Sequence, residues 1–276
     1  MAHRRFKQVD VFGGPPFMGN PVAVVLDAEG MADEQLAAMA RWTNLSETTF
    51  VLPPSDPRAD YRVRIFTTLY ELPFAGHPTL GTCHAWLEAG GVPKGGEIIQ
   101  ECGVGLVRLR RDGSMLAFAA PPLQRSGPAD AARVEAVRGA LGVAAGDLLD
   151  AQWVDNGAGW LALRLSSRAA VLALAPDFPA LGDVPVGVFA ADGDAFELRA
   201  FIAGDGLQED PVTGSLAAGV AAWLARDGLA PDAYVFHQGC KLGRDGHIHV
   251  RREGAGLWIG GRTTTLVDGT ARTDER

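Results

Sequence analysis

"ELPFAGHPTLGTCHAWL" (residues 71–87) is a turn that runs directly into a segment with almost no polar face, and His77 and Pro78 stand at the junction. A close copy, "EDPVTGSLAAGVAAWL", occupies residues 209–224. Glu71, Pro73 and Gly76 align with Glu209, Pro211 and Gly214, and Trp86-Leu87 aligns with Trp223-Leu224 once a single gap is allowed. Gly76 and Gly214 lie half a chain apart, so the pattern reads as an internal duplication. Both downstream segments are apolar on nearly every face, whereas a helix lying on a surface would carry one apolar stripe. Each is therefore expected to be an enclosed helix.

The sequence around each copy reads mostly as strands. "FKQVDVF" (6–12), "PVAVVL" (21–26), "TTFVL" (48–52), "YRVRIFT" (61–67), "GEIIQEC" (96–102) and "SMLAFAA" (114–120) are short, β-branched or alternating, and bounded by Gly, Pro and Asp. The second half repeats the style in "AQWVD", "WLALRL", "VPVGVFA", "FELRAFIA", "AYVFHQG", "HIHVR" and "GLWIGG". Two further helices are expected, one starting at Asp33 as its N-cap and one over "ADAARVEAVRGAL". "RSGPADAA" (125–132) reads as the connection between halves. The predicted fold is α+β: two similar lobes, 1–125 and 126–276, each a curved, mostly antiparallel sheet wrapped around one central helix, with a terminal segment able to cross between them. Small residues (Gly81, Ala85, Ala217, Ala218, Gly219) would let sheet and helix approach, and the tryptophans would fill the wider end.

Composition narrows the function. The 276 residues are 47% hydrophobic and 21% charged, enough for a sizeable core rather than a disordered chain. Net charge is −8 with scattered basic residues, which argues against nucleic acid as a partner. No run approaches a bilayer-spanning length, so no membrane partner is expected, and the N-terminus lacks a secretory pattern, giving a cytoplasmic expectation. Cys83, Cys102 and Cys240 lack CxxC spacing and read as reduced, mostly buried thiols rather than a disulfide framework or zinc site. His247 and His249 share a strand face without a third ligand in view, so no metal is expected. No P-loop, nucleophile elbow or dinucleotide glycine pattern occurs.

A buried helix must satisfy the amides of its first turn, which also carry the positive end of its dipole. Two such helix starts meeting at one crevice would make an anion site suited to a carboxylate-bearing small molecule. Pro78 fits a first helical turn, where its missing N–H costs nothing. Asn20, in "GNP" (19–21), could hold the substrate with its amide or simply form a turn. Asp210 could cap the second helix or accept a hydrogen bond from a ligand.

"VDVFGGPPFMGNPVAVVL", "NLSETTFVLPP", "RIFTTLYELPFAGHPTLGT", "EDPVTGSLAAG" and "FHQGCKLGR" together resemble the phenazine biosynthesis PhzF family over residues 6–262. The resemblance implies the diaminopimelate epimerase-like fold, a homodimer, no cofactor, and an active site in a cleft between two lobes. It implies isomerase activity, with trans-2,3-dihydro-3-hydroxyanthranilate as the substrate of the named member. Residue by residue it implies Glu47 as catalytic acid and base, with Asp210 and His77 beside it, and Asn20, Ser46, Gly76, Thr213, Gly214 and Ser215 as substrate-binding positions. The epimerase branch uses two cysteines that this chain lacks at those motifs. Thr68 and Asp245-Gly246 also depart from the family pattern, in "RIFTT" and "QGCKLGRDG". The rival readings are an epimerase or racemase of a small amino acid-like substrate, and a non-catalytic small-molecule-binding relative.

Overall fold

The computed structural model describes residues 2–202 and 208–273. In chain order its first elements are β1 (Ala2–Val11), β2 (Asn20–Val25), α1 (Asp33–Thr43), β3 (Glu47–Leu52), β4 (Tyr61–Phe66), β5 (Glu71–Leu72), α2 (Gly76–Glu88), β6 (Ile98–Cys102), β7 (Gly105–Asp112) and β8 (Met115–Ala119). The chain continues through β9 (Arg125–Pro128), α3 (Ala131–Leu141), β10 (Leu148–Asp155), β11 (Leu161–Leu165), α4 (Arg168–Ala173), α5 (Phe178–Leu181), β12 (Val186–Asp192) and β13 (Ala195–Phe201). It ends with β14 (Glu209–Asp210), α6 (Gly214–Asp227), β15 (Ala233–Gln238), β16 (Gly246–Glu253), β17 (Gly256–Gly261) and β18 (Thr263–Thr273). Ala203, which closes the expected "FELRAFIA" strand, lies outside the described residues.

Two compact units result. One takes Met1–Ala119 together with Gly260–Arg276, the other Ala120–Ile259. The division thus falls at Ala119/Ala120 rather than 125/126, and the C-terminal strand belongs with the first unit. Within the first unit β1–β2 is antiparallel, β2–β3 parallel, β3–β4 and β4–β5 antiparallel, β4–β6 parallel and β6–β7 antiparallel. Within the second, β10–β11, β11–β12, β12–β13, β13–β14, β13–β15 and β15–β16 repeat that order of signs without exception. An outer strand completes each set, β18 against β1 and β9 against β10. The duplication expected from one motif therefore extends to the order and direction of the paired strands.

The central helices are enclosed as their composition requires. In α2 every residue from Gly76 to Cys83 is buried, and the helix contacts β1, β2, β3, β8 and β18. In α6 Gly214–Ala221, Trp223 and Leu224 are buried, and it contacts β10 and β16. The small residues set the spacing: a Cβ on Gly81 would stand 2.3 Å from Val22 Cγ1, and one on Gly219 would stand 2.3 Å from the Val154 carbonyl oxygen. Trp223 packs edge-on against Phe189 with ring centroids 5.2 Å apart, and half-buried Trp86 packs against Tyr61 at 5.1 Å.

Outer helices cover the remaining apolar faces. Leu36 and Ala40 of α1 pack with Val25, Phe50 and Phe66, while α3, α4 and α5 bring Val137, Leu141, Val171 and Leu181 onto Trp153, Leu163, Val188 and Phe201. With helices on both sides, central strands read as near-continuous apolar runs. Two local expectations change. Asp33 is the first helical residue rather than the cap: Ala32 is the cap, its amide bonded by the Gln35 side chain (2.9 Å), and Asp33 is drawn to Arg64 (2.6 Å). Residues 125–132 are not a linker, because Arg125–Pro128 pair with β10 and Asp130 caps α3 by accepting from the Ala132 and Arg133 amides.

Candidate active site

Three segments of the first unit bring their ends together. Asn20 opens β2, Glu47 opens β3, and Gly76 and His77 open α2. Adjacent parallel strands start side by side, with Val22 opposite Glu47. His77 Nε2 lies 3.2 Å from Glu47 Oε2, and Asn20 Nδ2 lies 3.3 Å from His77 Nδ1. Asn20 and His77 are buried, and 14% of the Glu47 side chain is exposed. Burial pushes the imidazole down to about 3, opposed by a weaker hydrogen bond with the Pro21 backbone, so the ring is neutral near pH 7 even beside a carboxylate. A neutral ring has one N–H for two nitrogens. An uncharged ring beside Glu47 places no fixed positive charge on the carboxyl group.

The second unit assembles a different cluster at the equivalent place. Asp210 ends β14 and Thr213 caps α6, but the Thr213 hydroxyl turns back and donates to Asp210 Oδ2 at 2.5 Å instead of capping the helix. Gln238, at the end of β15, braces both residues. Its Nε2 donates to the Asp210 carbonyl and to Thr213 Oγ1, each at 2.8 Å, and its Oε1 accepts from the Thr213 amide at 2.8 Å. Ser215 Oγ accepts from the Trp160 indole (2.9 Å), leaving its own proton to donate, and the Ser215 carbonyl accepts from Asn156 Nδ2 (2.8 Å).

The structure thus joins Asn20, Glu47 and His77, joins Asp210 to Thr213, and buries Gly76, Gly214 and Ser215 at the two helix starts. Ser46 is half-buried in the turn before β3. Sequence reading missed Gln238, Asn156 and Trp160 as supports. Gln238 stood inside the quoted "FHQG" motif, but nothing in the sequence said that it faces Thr213. The departure at Gly246 has a packing reason, since a Cβ there would stand 2.4 Å from Val212 Cγ2. Asp245 holds His247 at 2.9 Å, and among the described residues no group of three His, Cys, Asp or Glu is placed to hold a metal ion. Nor is any described helix long and apolar enough to cross a membrane. The thiols differ from the expectation of burial: Cys83 is buried, Cys102 half-buried and Cys240 exposed. Burial still raises all three, Cys83 to about 12, so none is poised as a thiolate.

A duplicated sheet-and-helix unit, with a carboxylate at each helix start, defines the class: isomerases and epimerases of the diaminopimelate epimerase-like fold. Residues 9–274 match the family described as phenazine biosynthesis-like protein. Trans-2,3-dihydro-3-hydroxyanthranilate isomerase of Pseudomonas aeruginosa is 37% identical, over 97% of this chain and 99% of its own length. Antisense-enhancing sequence 1 of Schizosaccharomyces pombe is likewise 37% identical, over 98% and 99%. The solved structure of a predicted epimerase from Pseudomonas aeruginosa matches with a TM-score of 0.82 at 30% identity, covering 98% of this chain and 100% of that one. The chain belongs to the phenazine biosynthesis-like (PhzF) family, and it is an isomerase.

Proposed function

We propose that this isomerase moves a proton between carbons of a small carboxylate-bearing substrate, with Glu47 taking the proton from one carbon and returning it to another. The observation that carries the reading is the contact between Glu47 and a buried, neutral His77. A carboxyl group that must cycle needs a neighbour that tolerates both of its states, and a ring of fixed positive charge would hold it ionised. Asp210 accepts a hydrogen bond from the substrate's amine or hydroxyl and stays ionised, supported by the Thr213 hydroxyl. The first-turn amides of α2, beside Glu47, bind the substrate carboxylate and stabilise charge that develops as the carbon proton leaves. Each step is a proton transfer, so the proposal calls for no cofactor.

Turnover of trans-2,3-dihydro-3-hydroxyanthranilate and a panel of small amino acids in D₂O tests the assignment. The product should carry solvent deuterium, and Glu47→Gln should lower turnover by a factor on the order of 10²–10⁴. Full activity in Glu47→Gln would remove Glu47 from the mechanism. An epimerase is the second reading, favoured by the match to the predicted epimerase. It requires a second proton carrier, for which Asp210 is the candidate. In that case Asp210→Asn would abolish exchange in one direction only.

A further inference from the structure

The glutamates that revealed the duplication, Glu71 and Glu209, have no part in the proposed chemistry, and their role lies in the strands that precede the helix starts. In the second unit Arg199 Nε and Nη2 donate to the two carboxylate oxygens of Glu209, each at 2.8 Å. Arg199 Nη1 also donates to the carbonyls of Val171 (3.1 Å) and Leu174 (3.0 Å) at the end of α4, and its guanidinium lies 4.9 Å from the Phe201 ring centroid. In the first unit Arg64 grips Glu71 in the same way (2.8 and 2.6 Å), bonds Asp33 at the start of α1, and lies 5.0 Å from the Phe66 ring centroid. The strand register makes the two devices equivalent, for Phe66 faces Glu71 as Phe201 faces Glu209. Solvent exposure separates them: the side chains of Arg199 and Glu209 are 5% and 11% exposed, those of Arg64 and Glu71 23% and 40%.

Both gripped strands, β5 and β14, are only two residues long, too short for ladder bonds alone to hold their register. In β14 those two residues are both acidic. Successive side chains of a strand point to opposite faces, so a slip of one residue would exchange Glu209 for Asp210 at the helix start. We propose that Arg199 is a positioning residue: by pairing in two-pronged fashion with Glu209, it fixes which of the neighbouring carboxylates is presented to Thr213 and the start of α6. The functional importance of that choice rests on the proposed role of Asp210. The choice of carboxylate itself does not.

The duplication supplies a control. Arg64→Gln breaks the equivalent grip on a strand whose inward residue is Leu72, where no carboxylate waits to be positioned. Full-length protein with ¹³C-carboxyl aspartate is prepared as wild type, Arg199→Gln, Arg199→Lys and Arg64→Gln, with Asp210→Asn assigning the Asp210 signal. The expected result is that the Asp210 carboxyl resonance and its titration curve change in Arg199→Gln, move back toward wild type in Arg199→Lys, and stay at wild type in Arg64→Gln. An unmoved Asp210 signal in Arg199→Gln, or an equal change in Arg64→Gln, overturns the proposal. Should Arg199→Gln fail to fold, Glu209→Gln, which breaks the same two-pronged pair from its other side, is judged by the same two criteria.

Kinetics on trans-2,3-dihydro-3-hydroxyanthranilate then read the consequence. Arg199→Gln should lower kcat on the order of a hundredfold, as expected for a misplaced catalytic-site group, with the acid limb of the pH profile displaced. Arg64→Gln should leave that limb in place. A wild-type protein that turns over none of the substrates would defeat the proposed function, while the carboxyl titration would still decide the role of Arg199.

Discussion

His77 is held neutral by its surroundings, and that gives the fold a measurable dependence on pH. Burial lowers its pKa to about 3 from the ordinary 6.5 of an exposed ring. Between those values the unfolded chain binds a proton that the folded chain refuses. The contribution of His77 to stability is therefore complete above about pH 6.5 and is lost as the pH falls toward 3. Melting temperatures measured across that window should fall more steeply for the wild type than for His77→Gln, and parallel slopes would show that the ring is not held neutral. His77, Glu47 and Asp210 were legible one at a time, through motifs. The contact at 3.2 Å between His77 and Glu47 was not, because it joins a strand start to a helix start 30 residues away in the chain.

Among the elements, α2 and α6 were the most legible, since a helix apolar on every face can only be enclosed. Their close approach to the sheets predicts an order of damage. A methyl on Gly219 meets the Val154 carbonyl, a backbone atom of β10 that cannot turn aside, whereas one on Gly81 meets side-chain methyls of Val22 and Val11. Gly219→Ala should cost about 1–3 kcal/mol through overpacking, in spite of the better helix propensity of alanine. Gly81→Ala should cost less, since Val22 can shift. At about 2–4 °C per kcal/mol for a chain of this size, calorimetry resolves the difference, and a smaller loss for Gly219→Ala than for Gly81→Ala would contradict the packing argument. The elements missed in sequence had weaker signals. β7 and β18 carry many polar and charged residues and are half-exposed over much of their length, and β9 contains Gly127 and Pro128, which read as a turn until pairing with β10 is seen. Proline is tolerated at an outer strand, where its missing N–H faces away from the ladder.

At the scale of the whole chain, each unit's set of paired strands is completed by an outer strand, β9 just ahead of β10 and β18 returning to β1 from the far end of the chain. β9 follows the strands of the first unit and pairs with β10 of the second, while β18 follows β17 and pairs along β1 over Ala2–Val11. Lys7, buried within β1, depends on that return, because its ammonium bonds Asp268 at 2.7 Å and Glu88 at 3.1 Å. His84 of α2 is held from β18 as well, by Thr263 (2.9 Å) and Thr265 (3.1 Å). Truncation after Arg262 should therefore destabilise the N-terminal unit rather than the C-terminal one. Hydrogen exchange would show lost protection in β1 and α2 with β10–β13 still protected, and uniform loss across both units would refute that division of labour.

The sequence by itself determined the duplication, the two enclosed helices, the strand-rich halves and the motifs that resemble the family's. All of these are written in local composition and in motifs that recur within the chain. Only the tertiary structure decided which unit the last strand joins, that Gln238 braces Asp210 and Thr213, and that Arg64 and Arg199 grip their glutamates in the same two-pronged way. The arginines lie seven and ten residues before their glutamates, so no fixed spacing marks them. Pairings of this kind are set by strand register and by which face a side chain takes, and both emerge only when distant segments pack.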